Sequence, residues 1–231
     1  MTAVDDRSRE HAHRMDRMYR LQRHIYDATR KYYLLGRDTA IIGLDIPAGG
    51  SVLEIGCGTG RNLALTGRRF PRARLFGLDI SAEMLISARA KLGEASGAVL
   101  RIADATDFDA GDFGETGFDR ILISYALSMI PDWEGAIEAA VAALNPGGSL
   151  HIVDFGQQEC LPPLCRRVLQ AWLKRFDVTP RDRLQTVLAD QASRLGGSIG
   201  YRAIGRGYAW LFILHRPTDT PTQVPRNDLD R

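Results

Sequence analysis

VLEIGCGTGRN, residues 52–62, runs out of an apolar stretch, through an acid, and into a series of three glycines. Val52, Leu53 and Ile55 read as a short buried strand, and Glu54 is the acid near its end. Gly56, Gly58 and Gly60 then bend the chain before a helical pattern opens at Arg61. A strand, a glycine turn and a helix start make a pocket floor, because residues without a Cβ let a ligand come close to the backbone. Two ligands compete for such a floor: the pyrophosphate of a dinucleotide, or a group carrying no phosphate.

Working outward, the same alternation repeats. Strand patterns fall at residues 51–55, 74–78, 98–102, 118–125 and 149–155, and helical patterns at 61–70, just after Ser81, and at 133–144. Strands separated by helical segments imply crossover units and a parallel sheet. Asn145-Pro146-Gly147-Gly148 reads as a turn. The last third changes character. A helix is expected over 161–176, and Thr179-Pro180-Arg181-Asp182 looks like another helix start with proline at the first helical position. Two strands follow near 198–204 and 208–215, joined at Gly205-Arg206-Gly207 as a closing hairpin.

Composition bounds the rest. The 231 residues suit one globular domain with a sizeable core, and a net charge of +2 is too mild to argue for nucleic acid. Cys57, Cys160 and Cys165 show no C-x-x-C spacing and no matching histidines, so neither a disulfide framework nor a metal site is expected. The polar N-terminus lacks the apolar segment of a secretory signal, and no window reaches the length of a membrane span. A cytoplasmic protein is the default expectation.

The choice of ligand turns on the other strand ends. A dinucleotide site wants G-x-G-x-x-G, but here the third fingerprint position is Arg61. The second strand ends in Asp79, able to accept both hydroxyls of an unphosphorylated ribose. The third ends in Asp104, suited to the exocyclic amine of adenine. Three acids at three strand ends (Glu54, Asp79, Asp104) repel phosphates and favour a ligand with ribose, adenine and positive charge. S-adenosylmethionine has all of these and no phosphate. A nucleotide-cofactor oxidoreductase and a non-catalytic binding module are the rival readings from other classes, and local helix capping by Asp79 and Asp104 is the plain structural one.

With "VLEIGCGTGRN" stand "LFGLDIS" (75–81), "IADATDF" (102–108), "FDRILISYALSMIPDW" (118–133) and "LNPGGSLHIVDFG" (144–156). In that order they resemble the Rossmann-like, class I S-adenosylmethionine-dependent methyltransferases. The resemblance implies an α/β fold: a seven-stranded, mostly parallel sheet in the order 3-2-1-4-5-7-6, its last strand antiparallel, with helices on both faces. It also implies that Glu54, Gly56, Cys57, Gly58, Asn62, Asp79, Ile80, Met84, Asp104, Ala105 and Ser124 line the cofactor.

The N-terminal stretch has its own pattern. Met15, Met18, Tyr19, Gln22, Ile25, Tyr26, Thr29, Tyr32 and Tyr33 fall at helical spacing, with Gly36 as a C-cap. Residues 1–37 therefore read as an amphipathic lid helix, 38–216 as the methyltransferase domain and 217–231 as a disordered, proline-bearing tail. Tyrosine rings can surround a cation, each for roughly 0.5–2 kcal/mol. "RHIYDATRKYYLLGRD" (23–38), the glycine turn and "VTPRDRL" (178–184) together look like the bacterial betaine-lipid N-methyltransferases. Those convert diacylglycerylhomoserine to diacylglyceryl-N,N,N-trimethylhomoserine. That resemblance implies that Tyr19, Tyr26, Tyr32 and Arg37 line the methionine end of the cofactor, with Arg37 facing its carboxylate. Similar sequences methylate phosphatidylethanolamine, quinones or soluble amines, and these alternatives stay open.

A lipid head group as substrate should leave a mark at an interface. Over 163–176, Leu164, Cys165, Val168, Leu169, Trp172, Leu173 and Phe176 share one face, with Arg166, Arg167, Lys174 and Arg175 opposite. Such a helix suits peripheral contact with an anionic membrane, or else covers the sheet. Methyl transfer to an amine needs orientation more than a nucleophilic residue. The amine must still lose a proton, and His24 and Tyr125 are the candidate bases.

Overall fold

The computed structural model describes residues 34–175 and 178–218. The described residues open with α1 (Arg37–Ile42), β1 (Ser51–Ile55), α2 (Arg61–Arg69), β2 (Arg74–Asp79) and α3 (Ala82–Leu92). It continues through β3 (Val99–Ile102), β4 (Phe118–Ser124), α4 (Trp133–Ala142) and β5 (Leu144–Phe155). The last elements are α5 (Pro163–Lys174), α6 (Leu184–Leu195), β6 (Ser198–Ile204) and β7 (Ala209–His215). The sheet runs β3-β2-β1-β4-β5-β7-β6, with β7 antiparallel to both of its neighbours and every other pairing parallel. This is the strand order expected from the motifs.

All five residues of β1 are buried, as befits a central parallel strand covered on both faces. Side chains alternate between those faces. Leu53 and Ile55 join Phe76, Phe118, Ile121 and Ile123 on one side. Val52 joins Leu63, Leu85 and Leu122 on the other. Glu54 shares the parity of Val52, so it points to the side of Leu63 and α2. Phe76, Phe113 and Phe118 meet edge to face, with ring centroids 5.3–6.0 Å apart. On the opposite face a Cβ at Gly77 would lie within 3.0 Å of Leu63, Leu100 and Cys57, so only glycine lets α2 and β3 close over β2.

Chain order leaves β1 toward β2 and β3 on one side and resumes at β4 and β5 on the other. The carboxyl ends of β1 and β4 therefore flank a topological switch point, where open α/β sheets hold their ligands.

Some expectations need correction. Gly36 sits in the left-handed region (φ 84°) just before α1, and the helix it was expected to end lies outside the described residues. Residues 179–182 do not start a helix, since α6 begins at Leu184. There the Thr179 N–H is spent on the Ser128 carbonyl 2.9 Å away. Asn145–Gly148 is absorbed into β5: Leu144 pairs with Phe118, and a register shift follows before Ser149 pairs with Arg120. Helix α5 keeps Leu173 buried and Leu169 half-buried, but Leu164, Val168 and Trp172 are 74%, 63% and 37% exposed. The lid helix and the tail from 219 onward, with His24, Tyr19, Tyr26 and Tyr32, lie outside the described residues.

Candidate cofactor and acceptor site

The glycine turn is built as its sequence requires. Gly56, Gly58 and Gly60 have φ of 68°, 54° and 72°, a region that side chains rarely enter. A Cβ on Gly56 would strike Ala126, and one on Gly60 would crowd Ala88, so two glycines are needed for packing. A Cβ on Gly58 would meet nothing within 4 Å, which leaves the turn open for a ligand.

Glu54 stands beneath this turn, opposite Leu122 of β4. Its Oε1 accepts a 2.7 Å hydrogen bond from Asn62 Nδ2, while its Oε2 is buried without a partner. Burial pushes its pKa from 4.5 to about 8, and nearby Asp79 adds to the rise; the Asn62 bond and the Arg37 charge oppose it. Arg37, at the start of α1, is itself 9% exposed. A buried carboxyl with one unsatisfied oxygen is a site for a cation, and a ligand ammonium would satisfy both its charge and its lone pairs.

Asp79 is held by backbone on both oxygens: Gly58 N–H donates to Oδ2 at 2.8 Å and Ser81 N–H to Oδ1 at 2.9 Å. The carboxylate thus ties the glycine turn to β2 at the carboxyl edge of the sheet. Asp104 Oδ1 accepts from the Thr106 N–H and hydroxyl, which fixes the turn after β3. Neither acid caps a helix, since Ser81 is the N-cap of α3 and Asp104 holds a turn; both fix backbone at the carboxyl edge of the sheet.

The other expected residues divide. Asn62 is buried and acts on Glu54, and Arg61 donates to its Oδ1 at 3.2 Å. Ser124, at the end of β4, carries a buried hydroxyl without a partner. Cys57 packs its sulfur toward Gly77 and gives its N–H to Leu78, so its side chain faces the core. Met84 is 2% exposed, its N–H capped by Ser81, and Ala105 lies in the core beneath β3. Ile80 is half-buried beside Asp79.

Tyr125 is the clear correction. Its hydroxyl donates to the Leu35 carbonyl at 2.6 Å and its ring stands edge-on to Phe155 at 4.7 Å. Burial pushes its pKa well above the ordinary phenol value. A phenol with its proton held this way does not serve as a base at neutral pH. It pins the entry of α1 onto β5, and its φ of 55° is held by its own N–H on the Val153 carbonyl at 2.7 Å.

Sequence reading passed over the residues that shape the β4–β5 side. Asp154 is fully buried near the end of β5 and accepts from Ser128 N–H at 3.1 Å and Phe155 N–H at 2.7 Å. Ser128 Oγ and Gln157 Nε2 are buried without partners. Gln158 is buried at φ 53°, its side-chain amide bonded to the Gly156 carbonyl and its N–H to Gly207. Their only advance signal was an acid two residues from the end of a strand. Among the described residues no cluster of histidine, cysteine and acids could hold a metal ion, and no helix is long and apolar enough to cross a membrane.

Known proteins resemble this chain in sequence and in fold. A family profile described as a methyltransferase domain matches residues 53–150. Trans-aconitate 2-methyltransferase of Variovorax paradoxus (strain S110) is 34% identical over 144 residues, covering 62% of this chain and 53% of its own length. Phosphatidylethanolamine N-methyltransferase of Cereibacter sphaeroides is 32% identical over 106 residues, covering 46% of this chain and 51% of its own. The chain thus spans about half the length of these curated relatives. The plantazolicin methyltransferase BpumL, solved with S-adenosylhomocysteine, superimposes with a TM-score of 0.67 at 15% identity over 93% of this chain and 98% of its own, a likeness of fold. The matched profile runs from β1 into β5 and takes in the glycine turn with Glu54, Asp79 and Asp104, and the sheet order is that of the Rossmann-like methyltransferase fold.

Proposed function

We propose that this protein transfers methyl groups from S-adenosylmethionine to the amine of a lipid head group, turning diacylglycerylhomoserine into diacylglyceryl-N,N,N-trimethylhomoserine in successive steps. One observation carries the lipid part: α5 leaves Leu164, Val168 and Trp172 exposed along one line, while Arg166, Arg167, Lys174 and Arg175 are exposed on the same short helix. An apolar stripe flanked by cations suits the surface of an anionic membrane. The likeness to a phosphatidylethanolamine N-methyltransferase supports a lipid amine and makes phosphatidylethanolamine the second reading.

The bound cofactor supplies an activated methyl group on a sulfonium. In this reading Glu54 pairs with its ammonium, Asp79 accepts from the ribose diol and Asp104 from the adenine amine. Arg37 faces the carboxylate. Gly58 leaves the backbone open to the methionine portion, and Ser124 offers a hydroxyl beside it. Of the N-terminal residues, Tyr19, Tyr26 and Tyr32 complete the methionine end as aromatic faces around positive charge. No residue need attack the substrate. The chain holds the acceptor nitrogen in line and keeps water away, which can supply most of the rate. With Tyr125 committed to Leu35, the leaving proton goes to solvent or to His24.

The reading is tested by incubating the purified chain with methyl-labelled cofactor and dispersed diacylglycerylhomoserine, phosphatidylethanolamine, a quinone and soluble amines. Mass spectrometry should find one, two and three methyl groups added to the homoserine lipid. Label confined to a quinone or a soluble acid contradicts the lipid assignment.

A further inference from the structure

We infer that Arg181 is a positioning residue for the acceptor side of the crevice, holding residues 125–131 together with buried Asp154. This rests on the reading that cofactor fills the switch point and the acceptor enters over β4 and β5.

Segment 125–131 leaves β4 directly beside the glycine turn: Leu122 pairs with Glu54, and Gly56 packs against Ala126. Its internal hydrogen bonds are slight, from the N–H groups of Met129 and Ile130 to the Ala126 carbonyl. Other backbone groups of the segment are bonded from outside. Asp154 takes the Ser128 N–H at 3.1 Å, and Thr179 donates to the Ser128 carbonyl at 2.9 Å. Arg181 then spans the segment, with Nε on the Leu127 carbonyl at 3.0 Å and Nη2 on the Ile130 carbonyl at 2.6 Å. Its guanidinium lies 5.8 Å from the centre of the Trp133 ring.

A planar fork of fixed geometry reaches two carbonyls three residues apart, a spacing that the compact ammonium of a lysine does not reproduce. Half-burying a cation on neutral carbonyls is costly unless a carboxylate stands near, and the charge of Asp154 supplies part of that attraction. Closing a surface turn needs no such device. Ser124, just before the segment, and Ser128, in its middle, leave two buried hydroxyls unpartnered, open hydrogen-bonding capacity for a ligand. Thr179 and Arg181 follow α5 within a few residues, so the stretch that pins this wall is also the one leading from the exposed apolar helix.

The test uses the full chain and whichever acceptor the wild type methylates. Binding of S-adenosylhomocysteine is measured by calorimetry, and acceptor kcat and KM by label transfer, for Arg181→Ala, Arg181→Lys and the isosteric Asp154→Asn. The inference predicts S-adenosylhomocysteine affinity within about twofold of wild type, while acceptor kcat/KM falls about 100-fold, the scale of a misplaced reactant. Added guanidinium should restore part of the rate in Arg181→Ala and none in Arg181→Lys. Acceptor kinetics within about threefold of wild type, or cofactor affinity and acceptor KM worsening together, overturns it. If Arg181→Ala does not fold, Asp154→Asn carries the same expectation and the same refutation. A different acceptor leaves the test intact; a wild type that binds no S-adenosylhomocysteine overturns the site reading and this inference with it.

Discussion

Glu54 presents one oxygen to Asn62 and keeps the other buried without a partner. Its raised pKa means that the cofactor-free fold prefers the neutral acid, while an ammonium ligand prefers the carboxylate. Binding should therefore release a proton, and affinity should rise with pH until about 8. Calorimetry in two buffers of different ionisation enthalpy reads the proton directly. Glu54→Gln keeps the acceptor for Asn62 and removes the charge; it should weaken binding at least about tenfold, the scale of a charged hydrogen bond. Unchanged affinity in that variant would place the ligand elsewhere. Asp79→Ala should cost roughly 1–3 kcal/mol of cofactor affinity whatever the acceptor. These acids were legible in the sequence because each sits at the end of an apolar strand pattern. The Tyr125 hydroxyl misled because a tyrosine just past a strand end looks available, and only the fold brings the Leu35 carbonyl to it.

At the scale of elements, the alternation of strand and helix was readable throughout the sheet, since each central strand is an apolar run of the right length. What failed was the segment 178–182, where proline and an acid imitate a helix start. The Thr179 N–H and the Arg181 guanidinium bond to residues 127, 128 and 130, about fifty positions away, and no local pattern announces such partners. Helix α5 was legible as amphipathic, but not how little of its apolar face the sheet would cover. That exposure yields a test. Arg166→Glu with Arg167→Glu should lower flotation with anionic vesicles, since each basic residue near such a surface contributes about 1 kcal/mol. Val168→Ser with Trp172→Ser should lower it in high salt as well, where charge is screened. Both pairs should leave S-adenosylhomocysteine affinity unchanged. Vesicle binding equal to wild type in both pairs removes α5 as the membrane surface.

For the whole molecule, two buried groups set opposite pH slopes. His151, on β5 with Nε2 facing Ser149 Oγ, has its pKa lowered to about 3, by burial first and then by Arg120 and His215. Its contribution is whole above pH 6.5 and is lost as pH falls toward 3. Glu54 behaves oppositely: its contribution is whole below pH 4.5 and is lost as pH rises through 8. From these two groups the cofactor-free chain should be most stable between pH 4.5 and 6.5 and weaken toward 8, which urea midpoints across that range can read. Saturating cofactor should remove the alkaline decline, and Glu54→Gln should remove it without cofactor. The sheet order and the acid-rimmed turn make one common claim: the crevice takes a cationic nucleoside without phosphate. Calorimetric titration of the wild-type chain with S-adenosylmethionine and, separately, with NAD tests it most directly. The account predicts saturable binding of S-adenosylmethionine with proton release and no heat from NAD; saturable NAD binding with a silent S-adenosylmethionine titration would contradict it.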